Sequence, residues 1–189
     1  LLDHGDNVMS GGTCDTTDVL EECLRQGLSN IGVGPLCDPA AVAAATQAGL
    51  GATLGIELGN VRPLGLGSDP RTRMRVHARV RALTDGRFRI TGPIYTGETW
   101  AMGRTAVLET DAFTVVVTER PMEPLDLGVF TSAGVDPAHF DYLILKSRMY
   151  CRPSFVPIAG GLVECDSRGV TSSDYGLFRF ERVRRPIYP

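Results

Sequence analysis

Apolar and polar positions along the chain follow two rhythms, and each predicts its own kind of structure. After two leading leucines, residues 3–17 ("DHGDNVMSGGTCDTT") carry almost nothing to bury. From Asp15 the spacing turns helical. Val19, Leu20, Cys23 and Leu24 share one face, with Asp15 placed as N-cap, Asp18 in an acidic first turn and Gly27 as the stop. "IGVGPLC" (31–37) is a short apolar run that predicts a strand. Asp38 as N-cap, Pro39 at the first helical position and Gly49 as terminator bracket an alanine-rich helix, and "ATLGIELG" (52–59) predicts another strand. With the leading leucines as the tail of a strand, this succession predicts an N-terminal parallel β-α-β-α-β unit.

The rhythm then shortens to two. In "MRVHARVRAL" (74–83), Met74, Val76, Ala78 and Val80 alternate with Arg75, His77, Arg79 and Arg81. "TDGR" (84–87) followed by "FRIT" predicts the return strand of a hairpin. A second hairpin is expected from "GRTAVLET" (103–110) to "FTVVVTER" (113–120), ended by "PMEPLD". The last third brings a helical turn at "LGVFTSAG", a buried strand "YLILKS" (142–147) and a strand "GLVECD" (161–166). The expected fold class is α/β, one domain over residues 1–189. Its mixed sheet has the N-terminal parallel unit, then antiparallel hairpins and a final mixed α/β section.

Composition narrows the partners. The chain is 43% hydrophobic and 22% charged with a net charge of −3, an ordinary soluble balance that argues against nucleic acid. No apolar run approaches the roughly 18–20 residues of a membrane span, and no signal-peptide pattern opens the chain. Five cysteines form an odd set without a C-x-x-C pair, which reads as free thiols in a reducing cytoplasm. The 19 basic residues include a single lysine, Lys146. The start "LLDHG", with no initiator Met, reads as a fragment of something longer.

Three places carry candidate chemistry. Gly11, Gly12 and Thr13 precede a helix and could offer backbone N–H groups to an anion. Their spacing departs from both nucleotide-loop patterns, and Asp3, Asp6, Asp15 and Asp18 would repel a phosphate. Donors and carboxylates together suit a polar substrate; a loop that only forms Asx turns and caps a helix is the plainer alternative. Asp3, His4 and Asp6 lack a second His at ligand spacing, and no His is placed to activate Cys14, so neither metal ligands nor catalytic residues are assigned here. Arg73, Arg75, His77, Arg79 and Arg81, with Arg87 and Arg89 from the expected hairpin partner, form a basic face without aromatics for base stacking. It is either a solvated face or a docking surface. Lys146–Ser147 ends a strand at the sheet edge where open α/β folds place ligands, unless Lys146 is a plain surface lysine.

Several segments together resemble one family across essentially the whole chain. "DHGDNVMSGGTCDTT", "DPAAVAAATQAGLGA", "GRTAVLE", "KSRMYCRPSFVPIAG" and the closing "RRPIYP" occur in the order found in the C-terminal domain of MlrC-like proteins. The resemblance implies a zinc-dependent peptidase or amidase whose metal ligands lie in an N-terminal domain absent from this chain. That domain and a small peptide-like substrate are the implied partners, with homo-oligomerisation left open. It places Asp6, Asn7, Ser10, Gly11, Gly12, Thr13, Asp15, Lys146 and Ser147 at the substrate side of the cleft. Tyr150 stands where relatives commonly have His, and Val8–Met9 where they often have Pro and Gly. The alternative is a non-catalytic module that binds a small anionic or phosphorylated ligand at the glycine loop and helix N-terminus.

Overall fold

The computed structural model describes residues 1–65, 71–184 and 186. A six-stranded sheet forms the body, in the order β3 (Thr53–Leu58), β4 (Met74–Thr84), β7 (Thr105–Glu109), β8 (Phe113–Thr118), β2 (Ile31–Cys37), β9 (Tyr142–Ile144). β2 lies parallel between β8 and β9, while the β3–β4, β4–β7 and β7–β8 pairs are antiparallel. Beyond β9, β1 (Leu2–Asp3) attaches through a parallel bridge from Leu2 to Leu145, and β10 (Glu164–Cys165) pairs with β1. The mixed α/β class is therefore as expected. The ending 184–189 lies largely outside the described residues.

The expected N-terminal parallel unit does not form. β2 takes its parallel partners from β8 and β9, late in the chain, and β3 sits at the far edge, antiparallel to β4. Burial gives the reason. Every residue of β2 and of β8 is buried, so both need neighbours on each side, whereas β3 alternates and suits an edge. The first expected hairpin also fails. β4 spends both edges on β3 and β7, and β5 (Arg87–Arg89) turns away to pair with β6 (Thr99–Ala101). The second hairpin, β7–β8, forms in register from Thr105 opposite Thr118 to Glu109 opposite Thr114.

Side chains of β8 divide two cores between the sheet faces. Phe113, Val115 and Val117 join Val19, Leu20 and Cys23 of α1 (Asp18–Arg25) and Ala41, Val42 and Ala45 of α2 (Pro39–Ala48). Val116 joins Phe130 of α3 (Gly128–Thr131) and Phe155 of α4 (Arg152–Phe155). The two phenylalanine rings meet edge-on with centroids 6.0 Å apart. α2 is capped as its sequence requires: the Asp38 carboxylate accepts from Ala41 N, Pro39 opens the helix and Gly49 ends it at φ 88°. α1 begins later than expected. Asp15 is not its N-cap; that carboxylate instead accepts from Val61 N at 2.9 Å and Arg62 N at 2.8 Å.

Candidate functional site

The carboxyl ends of the parallel strands meet the opening loop, which lies across all of them. Cys14 O accepts from Cys37 N at the end of β2 (2.6 Å). Val8 N donates to Lys146 O just past β9 (3.1 Å), and Met9 N donates to the Glu123 carboxylate in the segment after β8 (2.8 Å). The loop is thus laced to three different strands at the edge where α/β sheets place ligands.

Beneath it lies a buried charged cluster. Lys146 Nζ reaches Asp3 Oδ2 at 2.6 Å, Asp6 Oδ2 at 3.3 Å and Thr16 Oγ1 at 2.7 Å, and also donates to Thr16 O. Asp6 folds the loop around itself: one carboxylate oxygen accepts from Cys14 N (2.7 Å) and Thr13 Oγ1 (3.2 Å), the other from Thr16 N (2.9 Å). Asp3 accepts from Ser167 Oγ and Thr16 Oγ1. Burial alone would lower the pKa of the Lys146 ammonium, but the Asp3 and Asp6 carboxylates outweigh it and raise it. Lys146 is only 1% exposed, so it is not a surface lysine.

Ser147 faces the other way, donating to Glu123, whose second oxygen holds Met9 N. Burial pushes the Glu123 carboxyl up, and the Ser147 and Met9 hydrogen bonds only partly offset this. A late segment clamps the loop from outside. Thr171 Oγ1 accepts from Asn7 N at 2.9 Å and donates to His4 O at 2.8 Å, while His4 Nε2 lies 2.6 Å from Ser173 Oγ.

The nine residues expected at the site do not all stand together. Asp6, Thr13 and Lys146 share the buried cluster; Asn7 and Ser10 are joined by Asn7 Nδ2 donating to Ser10 Oγ at 2.9 Å. Ser10 and Gly11 form the exposed crest, and Gly12 and Thr13 are half-buried. Asn7 Oδ1 is buried without a protein partner, an acceptor left open near that crest. Asp15 lies apart, under residues 61–62. Gly11 and Gly12 were expected to offer amide donors, but Gly11 N already donates to Val8 O and Gly12 N to Asn7 O, both at 2.9 Å. Cys14 N and Thr16 N are taken by Asp6, so four of the amides an anion nest here would use are engaged within the loop. Glycine is nonetheless required at position 12, where a Cβ would lie 2.6 Å from the Asp6 carbonyl carbon.

Thr16, Glu123, Ser167 and Thr171 were not expected at the site, and Asp3 was weighed only as a phosphate-repelling carboxylate and a metal ligand. Only Asp3 and Glu123 gave a signal, as carboxylates next to apolar runs. Cys14 is fully buried, and burial pushes its thiol far above the ordinary range, so it is no nucleophile. Asp3 and Asp6 are compensated by Lys146 and saturated by N–H and O–H donors, which does not fit a metal. Among the described residues no group of three or more His, Cys, Asp or Glu is arranged to hold one. On the basic face, Arg73 is bound to Asp38, Arg75 to Glu57 at 2.9 Å and Arg81 to Glu109 at 3.6 Å. Arg87 and Arg89 lie on β5, paired to β6 instead of β4, so they do not extend it as expected. Among the described residues no helix is long and apolar enough to cross a membrane.

A mixed sheet whose parallel strands end under a polar loop defines the α/β class. The family described as MlrC C-terminus matches residues 1–182, and the chain belongs to it. Microcystinase C of Sphingomonas sp. is 24% identical over 189 residues, which cover all of this chain and 35% of that protein. The crystal structure of a putative metallopeptidase from Mesorhizobium sp. BNC1 superimposes with a TM-score of 0.87 at 29% identity, covering the whole chain and 37% of its own. The chain thus spans little more than a third of the length of either relative.

Proposed function

We propose that this chain is the cleft-forming C-terminal part of a metal-dependent hydrolase acting on peptide-like or small amide substrates. The observation that carries the reading is the exposed crest at Ser10 and Gly11, fixed over three strand ends by the buried Lys146–Asp3–Asp6 cluster. Family membership and the metallopeptidase neighbour supply the reaction class. Lys146 and Asp6 set the loop's shape from below. Ser10, held by Asn7 Nδ2, and Thr13 are the polar groups that orient a substrate amide. The metal, zinc by the family's resemblance, is held by residues outside this chain. Preorganised polar groups of this kind act by positioning, which lowers the barrier without chemistry of their own.

The test compares the full-length polypeptide with this 189-residue chain on dipeptides and N-acyl amides, with and without added zinc. Hydrolysis by the full-length protein alone, abolished by a chelator and restored by zinc, is the expected result. Zinc-dependent hydrolysis by the isolated chain contradicts the division of labour.

A further inference from the structure

Residues 156–163 read Val-Pro-Ile-Ala-Gly-Gly-Leu-Val, and all eight are exposed. None carries a polar side chain, and soluble monomers rarely present so continuous an apolar stretch without a partner. Ile158, Leu162 and Val163 also line a cavity of about 370 Å³ whose opposite wall includes Leu1, Tyr142 and Leu143. That wall is an incomplete sheet edge. Leu1 N donates to Leu143 O at 2.7 Å and Leu145 N donates to Leu1 O at 3.0 Å, so β1 runs parallel alongside the end of β9. β9 meets β2 along its other edge. The alternation of a parallel ladder turns the Leu143 N–H away from β2, toward the cavity.

We propose that this groove and the 156–163 ribbon seat the N-terminal part of the same polypeptide, whose last residues before Leu1 extend β1 backward along β9. The proposal rests on the reading above that this chain works together with such a part. What selects this occupant is continuity. Leu1 N lies at the open rung of the groove, so residues joined to it would enter there, and the family named for a C-terminus fills only 35% and 37% of the two longer relatives. The partner surface is apolar and uncharged, matching the ribbon, and its leading strand supplies the carbonyl for Leu143 N–H.

Hydrogen exchange followed by mass spectrometry tests this on the full-length polypeptide and on the 189-residue chain at two concentrations. The expected result is exchange at residues 142–143 and 158–163 slowed about tenfold or more in the full-length protein, independent of concentration. Leu162→Asp with Val163→Asp, both at exposed positions, removes that protection while the exchange of β8 stays unchanged. Equal exchange in the two polypeptides overturns the proposal, as does protection that appears in the short chain only as concentration rises, which marks a second copy in the groove. Zinc-dependent activity of the full-length protein without such protection would sink the proposal and leave the hydrolase reading standing.

Discussion

Lys146 Nζ lies 2.6 Å from Asp3 Oδ2 across 143 residues of sequence, and neither side chain reaches solvent. This pair, with Asp6 and Thr16, ties the first residues of the chain to the end of β9 and gives the opening loop its fixed shape. Removing one partner of a buried ion pair leaves the other charge without compensation. Lys146→Met is expected to cost about 3–5 kcal/mol in urea unfolding. Asp3→Asn in the Lys146→Met background is expected to recover part of that loss, a coupling a double-variant cycle measures directly. Because the Lys146 pKa is raised, the stabilisation is complete below the ordinary lysine value and is lost only as strongly alkaline pH passes the raised one.

Neighbouring glycines in the loop are expected to respond differently. At Gly12 an added Cβ meets backbone at 2.6 Å, whereas at Gly11 it meets nothing within 4 Å and only the left-handed φ of 97° opposes it. Gly11→Ala should cost about 1 kcal/mol, the ordinary penalty of that conformation. Gly12→Ala should cost more and should change the near-ultraviolet spectrum or the amide shifts of Asp6 and Asn7, because backbone must move.

Glu123 makes the site sensitive to pH. Its folded pKa lies above the ordinary carboxylate value, so its contribution favours the fold below that value and is lost as pH rises through the raised one. Glu123→Gln keeps an acceptor for Met9 N and can donate to Ser147, and has no charge to desolvate. Its unfolding free energy at neutral pH should stay within about 1 kcal/mol of the parent. The fall in stability through the weakly acidic range should flatten. Glu123→Ala, which orphans the Met9 N–H, should lose about 1–3 kcal/mol instead.

Local chemistry was readable from sequence, while long-range pairing was not. The α2 boundaries followed from Asp38, Pro39 and Gly49, and the β7–β8 hairpin from its apolar runs and short turn. The placing of β2 was hidden, because a seven-residue apolar strand states that it is buried without stating by whom. The same limit applies to the site. Asp6, Asn7 and Lys146 stood out by composition and family resemblance. That Lys146 would be buried against Asp3, and Thr171 would clamp Asn7, depends on contacts made across more than 140 residues. Asp15 was misread because a distant segment competes for it. It precedes a helix, but residues 61–62 offer two amides to its carboxylate and win it.

The central claim is that the crest of the opening loop helps hold the substrate. Steady-state kinetics of full-length Ser10→Arg, on whichever amide or dipeptide the parent turns over fastest, tests it most directly. The exposed position should tolerate the change within about 0.5 kcal/mol of stability. The account predicts a loss of about tenfold or more in kcat/KM, as a bulky cation fills the substrate's side of the cleft. A kcat/KM within about twofold of the parent, with the fold intact, would contradict it.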